Sequence, residues 1–198
     1  MINNIEDFKI GELKNPKFIK TGFVTYKQNG IDKSWEVVKA HDSVAVLIYH
    51  KERDSFIFVK QFRPAVYMGD MRDGITTELC AGIIDKKLSL VEIAKEEIEE
   101  ECGYAVSIDD IERITQVHNA VGFAGSKQTL FYTEVTESMR VSEGGGIDTE
   151  LIEVIEMPIS SAREFIFDES IAKTTGILFA LMWWFDKRNS HIEKTSIS

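Results

Sequence analysis

The pattern of apolar and polar positions divides the chain into strands and helices before any chemistry is considered. Residues from about Phe18 to Tyr26 and from Ser34 to Val38 are rich in β-branched and aromatic types and flank Gln28-Asn29-Gly30, so a hairpin is expected there. An almost wholly apolar run, Ser43 to Tyr49, suits a strand covered on both faces. A second strand, Ser55 to Lys60, follows the charged turn Lys51 to Asp54, and together they begin a central mixed sheet. The polar, Met- and Gly-containing stretch Ala65 to Thr77 reads as a loop bordering a site, and Thr77 to Ala81 as a short strand ending at Gly82.

Beyond this point the period changes. Ser89 and Glu92 have the spacing of a capping box, Ala94 and Ile98 share one stripe, and Gly103 stands where a left-handed C-terminal residue belongs. A helix is therefore predicted over Leu90 to Cys102. Strands are expected over Ile114 to Val117 and Gln128 to Val135, with the glycine-rich Val121 to Gly125 between them, and Gly144-Gly145-Gly146 opens a flexible loop. Leu151 to Met157 reads as a strand, Ser160 to Phe167 as a short helix, and Thr174 to Lys187 as an apolar helix carrying Trp183 and Trp184, with a frayed tail from Arg188. The expectation is an α/β chain in two parts: a small N-terminal β subdomain over 1–42 and a main domain over 43–198.

Composition narrows the function classes. At 198 residues and 43% hydrophobic content, the chain can bury one full core without disulfides. A formal charge of −10 and a pI near 5.0 repel polyanions, so nucleic acid is not expected as a partner. Cys80 and Cys102 lack zinc-site or redox-motif spacing and read as reduced thiols in the cytoplasm. No signal-peptide pattern opens the chain, and no apolar run approaches the ~18 residues of a membrane span. His41, His50, His118 and His191 are scattered without ligand spacing and read as structural or surface residues.

One feature of the helix demands a reason. Every residue from Glu96 to Glu101 except Ile98 is a glutamate. Like charges at three- and four-residue spacing repel by about 0.2–0.5 kcal/mol per pair, and the helix dipole disfavours anions toward this end. Glu97, Glu100 and Glu101 project on one side and are expected to converge, a donor set of hard oxygens suited to Mg²⁺, Mn²⁺ or Ca²⁺. Gly82 permits close backbone approach, which makes the carbonyl of Ala81 a further candidate ligand.

The stretches Gly82 to Leu88 and Glu96 to Tyr104 resemble the Nudix box, G-x5-E-x7-R-E-U-x-E-E-x-G-U, with its spacing kept throughout. Gly82, Glu97, Ile98, Glu100, Glu101, Gly103 and Tyr104 match. Leu88 stands in place of the first glutamate and Glu96 in place of the arginine that orients a metal-binding glutamate, with Lys95 as a neighbouring cation. Tyr26 to Gly30, Lys33 to Trp35, His41 to Val44, Val59 to Tyr67, Glu78 to Gly82, Gly125 to Thr129 and Glu150 to Val154 resemble the ADP-ribose and UDP-sugar diphosphatase branch of the Nudix hydrolases.

That resemblance implies an α/β/α sandwich around a mixed sheet and a homodimer formed through the N-terminal β subdomain. It implies Mg²⁺-dependent (or Mn²⁺-dependent) hydrolysis of a nucleoside diphosphate sugar to a nucleoside monophosphate and a sugar phosphate. Alternatives are a catalytically silent nucleotide-sugar sensor on the same scaffold, or a Nudix hydrolase of another nucleotide. Expected metal ligands are Glu97, Glu100, Glu101 and the Ala81 carbonyl. Glu150, or else Asp148, is expected to serve as base or additional ligand from a mobile loop hinged at the three glycines. Arg63 is a candidate for phosphate or the base edge and Glu78 for a ribose hydroxyl or for Arg63 itself. Trp35 is a candidate for base stacking or the dimer interface, and Ser126, Lys127 and Gln128 for phosphate or sugar.

Overall fold

The computed structural model describes residues 4–70, 73–147 and 149–195. The predicted hairpin is present as β1 (Lys20–Gln28) and β2 (Ile31–Lys39), paired antiparallel from Gln28↔Ile31 to Lys20↔Lys39. Asn29 and Gly30 both take positive φ, 53° and 81°, as a two-residue turn matched to strand twist requires. The hairpin forms its own two-stranded sheet and touches the main domain through Val38 N–H to Phe123 O, 2.8 Å, and Trp35 Nε1 to Gly122 O, 2.6 Å.

The main sheet is built on β3 (Ser43–His50), which runs parallel to β8 (Ser126–Val135) and antiparallel to β4 (Ser55–Phe62) and β6 (Cys80–Ile83). On one flank β4 also pairs with β5 (Ile75–Glu78) and β9 (Ile152–Pro158); on the other β8 pairs with β7 (Glu112–Asn119). The sheet is therefore mixed, and seven-stranded among the described residues.

Alternation along β3 and β4 explains the layers. Val44, Val46, Ile48, Ile57 and Val59 point to one face and pack on Ile93, Ala94, Ile98 and Cys102 of α2 (Leu90–Cys102). Ala45, Leu47, Tyr49, Phe56 and Phe58 point to the other. They pack on Ala162 and Phe165 of α3 (Ile159–Phe167) and on Ile177, Leu181 and Trp184 of α4 (Thr175–Thr195). Each buried Leu, Ile or Phe contributes about 1.5–3 kcal/mol, so this double-faced strand pair organises the whole core. No helix among the described residues is long and apolar enough to cross a membrane.

Helix α2 matches its expected bounds at both ends. Ser89 Oγ accepts from Glu92 N–H, the Glu92 carboxylate accepts from Ser89 N–H at 2.8 Å, and Gly103 closes the helix at φ 78°, ψ 22°.

Three expectations are corrected. The supposed loop after Arg63 contains α1 (Pro64–Asp70), because Pro64 presets the first-turn φ and Tyr67 packs edge-on to Phe8, 4.9 Å between centroids. The single strand expected at Thr77 to Ala81 is two: β5 stays on β4, and after Leu79 the chain passes to β3 as β6. Helix α4 continues past Arg188 to Thr195.

Candidate active site

The C-terminal half of α2, the start of β6, the end of β4, the head of β8 and the glycine loop enclose a cleft of about 590 Å³. Its lining brings together Arg63, Glu78, Ala81, Glu97, Glu100, Glu101, Gln128 and Glu150, all candidates from the sequence. Trp35 and Ser126 lie outside this lining: Trp35 is committed to the Gly122 carbonyl, and Ser126, the first residue of β8, pairs with Asn119 of β7. Lys127 holds Asp42 through its backbone N–H at 2.8 Å. Asp148 lies outside the described residues.

Each carboxylate is positioned by a different device. Glu101 is buried, and its Oε2 accepts from Ala81 N–H at 2.8 Å. In an extended strand a residue's N–H and C=O point to the same side, so the Ala81 carbonyl also faces away from β3, toward α2. Glu97 fills the space left by the absent side chain of Gly82; a β-carbon there would overlap its Oε1 and Cδ. Glu150 Oε2 accepts from Ile147 N–H at 3.0 Å. Glu100 Oε1 lies 4.0 Å from Lys86 Nζ.

Electrostatics record the crowding. Burial first, and then the neighbouring charge of Glu100, raises Glu97 to about 7 from an ordinary 4.5. Burial raises Glu101 to about 8, with Glu97 and Glu150 adding to the rise while the Ala81 N–H opposes it. The expected convergence of Glu97, Glu100 and Glu101 is not realised as a ready cage: among the described residues no three His, Cys, Asp or Glu side chains surround one point. Unneutralised carboxylates repel, and here Glu101, Glu150 and Glu100 each turn toward a donor or cation of the protein. The donor set nevertheless fits a hard divalent cation, since four carboxylates share one cleft and burial raises two of them well above their ordinary range.

In the same cleft, Arg63 and Glu78 form a two-bond pair, and Thr76 Oγ1 also donates to Glu78. The glycine loop differs from a free hinge. Gly145 N–H donates to Glu101 O at 2.8 Å and Gly146 N–H to Glu100 O at 3.1 Å, so it caps the end of α2. Gly144, Gly145 and Gly146 have φ of 69°, 108° and 84°, and a β-carbon on Gly144 would collide with the Glu101 carbonyl.

Several lining residues were not among the candidates read from the sequence. Phe18 and Ile19 arrive from just before β1, His41 from the segment between β2 and β3, and Ile147 from the glycine loop. The cation beside the departed box positions is Lys86, 2.6 Å from Glu96, and not Lys95. Of the other histidines, His50 is buried, with Nε2 3.6 Å from Glu137 Oε2, and His118 Nδ1 is 3.1 Å from Gly125 O. The side chain of His191 lies outside the described ones.

No family model matches the chain. It is 39% identical over 212 aligned positions to uridine diphosphate glucose pyrophosphatase NUDT14 of Bos taurus, covering 93% of this chain and 96% of that one. Its identity to the Mus musculus protein of the same name is 35%, over 96% and 99% of the two chains. GDP-mannose pyrophosphatase of Cronobacter sakazakii is 38% identical over 129 positions, 65% of this chain and 66% of that one. With two of these relatives similar over nearly their whole length, and Gly82 and three box glutamates gathered in one cleft, the chain belongs to the Nudix hydrolases, in the group that contains these sugar-nucleotide pyrophosphatases.

Proposed function

We propose that the enzyme hydrolyses the diphosphate linkage of a nucleoside diphosphate sugar, with Mg²⁺ or Mn²⁺, to a nucleoside monophosphate and a sugar phosphate. The observation that carries this reading is the shared cleft, lined by Glu97, Glu100, Glu101 and Glu150 together with the Arg63 guanidinium. Glu97, Glu100, Glu101 and the Ala81 carbonyl would hold the cation. When bound, it supplies Lewis-acid neutralisation of diphosphate charge and acidifies water.

The protein's own groups do the rest. Arg63 contributes positive charge for a phosphate oxygen, fixed in direction by Glu78. Glu150, oriented by Ile147 N–H, accepts a proton from the attacking water. Water oxygen bonds to one phosphorus, the bond from that phosphorus to the bridging oxygen breaks, and the second phosphate leaves with the bridging oxygen. Gln128 and Ser43 are hydrogen-bonded to each other at 3.3 Å on the cleft wall, available to sugar hydroxyls.

The N-terminal β subdomain over 1–42 is assigned to homodimer formation through its hairpin: Ile31 and Trp35 are 63% and 55% exposed on the same face as Val24 and Tyr26. Two free, buried cysteines accord with a reducing cytoplasm, and the charge of −10 argues against nucleic-acid partners.

The test is turnover of ADP-ribose, UDP-glucose and GDP-mannose by the purified protein, with and without Mg²⁺, beside Glu101→Gln. Metal-dependent release of both phosphate products, abolished in the variant, is expected. Tight binding of a panel member without turnover would instead make the protein a sensor on this scaffold.

A further inference from the structure

Lys86 lies in the segment joining β6 to α2, lines the cleft, and places Nζ 2.6 Å from Glu96 Oε2 and 4.0 Å from Glu100 Oε1. Glu96 is the residue that occupies the arginine position of the box. An arginine there would put the cation on the helix. Here the helix carries the anion and the preceding segment carries the cation, so the ion pair that ties the two together has its own polarity.

Three observations make this pair more than a surface contact. Lys86 is shared between a glutamate that holds it and a glutamate of the candidate metal set, so its ammonium bears on the direction of Glu100. It also lines the same cleft as Glu97, the neighbouring glutamate of that set. Finally, Lys86 follows Gly82 by four residues in the same segment, and Gly82 is where Glu97 packs; one short stretch therefore bears on Glu97 sterically and on Glu100 electrostatically.

We propose that Lys86, anchored by Glu96, is a positioning residue for the metal-binding carboxylates of α2, taking from the preceding segment the part that the box pattern gives to an arginine at position 96. This rests on the reading of the cleft as a divalent-cation site. Half-exposed ion pairs add little to fold stability, so the role is directional rather than structural.

Charge alone and positioning predict opposite signs, which makes the proposal testable. Lys86→Glu adds negative charge beside the carboxylates. If Lys86 acts only through the field, Mg²⁺ binds more tightly to that variant. If it positions, binding weakens about tenfold, the scale seen when groups supporting a metal ligand are lost. The experiment is Mg²⁺ titration by calorimetry and by the Mg²⁺-dependent rise in melting temperature, with kcat and KM measured in parallel, for wild type, K86R, K86E, E96K and K86E/E96K.

Both single charge changes should weaken Mg²⁺ binding and lower kcat with KM little altered. K86R should retain function, and the charge-swapped double variant should recover most of the loss. Tighter Mg²⁺ binding by K86E, or no recovery in the double variant, overturns the proposal. Absence of any Mg²⁺ effect on the wild-type protein would instead overturn the reading of the cleft itself.

Discussion

The backbone of Gly82 approaches Glu97 so closely that a β-carbon on it would overlap the carboxylate and stand 2.7 Å from Glu97 Cγ. The φ of Gly82 is not positive, so alanine meets no backbone strain there. What it displaces is the far end of a flexible side chain. Gly82→Ala should therefore fold with stability within about 1 kcal/mol of wild type, since a glycine-to-alanine change at a compatible backbone is neutral or stabilising. Its Mg²⁺ binding and turnover should fall sharply. Urea denaturation and Mg²⁺ titration on the same preparation separate the two effects; a large loss of stability with unchanged Mg²⁺ affinity would contradict the steric account.

The carboxyls of Glu101 and Glu97 are raised to about 8 and about 7, so the folded protein without metal binds protons that the unfolded chain has released. Stability of the metal-free protein must then fall as pH rises from the unfolded value of 4.5 through these raised values, and level off above them. Melting temperature in EDTA is expected to decline across this window. Glu101→Gln, which keeps an acceptor for Ala81 N–H, should flatten the decline and melt higher than wild type at the alkaline end. Mg²⁺ should restore more stability above the window than below it, because the ligands must be deprotonated.

Arg63 meets Glu78 through Nε to Oε1 and Nη2 to Oε2, both 2.7 Å, and Glu78 is 7% exposed. Among the described side chains, Arg63→Ala leaves that carboxylate with Thr76 Oγ1 as its donor, at an expected cost of about 1–3 kcal/mol by chemical denaturation. KM for the substrate should rise as well. Arg63→Lys keeps the charge but loses the fork, so it should fall between the two.

Homodimer formation through β1 and β2 predicts that Ile31→Asp reduces the mass measured by light scattering from two chains to one. Circular dichroism should stay unchanged, because Ile31 packs on no part of the core. A dimer that survives this change would move the interface elsewhere.

Local devices were legible in the sequence because their chemistry is local. Ser89, Glu92 and Gly103 bound α2 through contacts three or four residues apart, and Asn29-Gly30 sets a turn by its own dihedrals. The box glutamates share a cleft because helix spacing alone puts them on one side. What was not legible depends on contacts between distant segments. Pro64 was a usable sign of α1, but its packing partner Phe8 lies far upstream. Lys86 rather than Lys95 meets Glu96 because the segment after β6 folds back along the helix, a path that spacing does not encode. Trp35 falls outside the cleft lining because its ring N–H is committed to Gly122.

The capping of α2 by Gly145 and Gly146 has a consequence for timing. The carbonyls they cover belong to Glu101 and Glu100, so the loop that carries Glu150 is fastened to the same helical turn as the residues it is proposed to work beside. The backbone spacing between the loop and that turn of the helix is then settled when the chain folds, not when substrate arrives. What is left for a cation to arrange is then side-chain rotation alone, as Glu101, Glu150 and Glu100 turn from Ala81 N–H, Ile147 N–H and Lys86 on a backbone that is already in place.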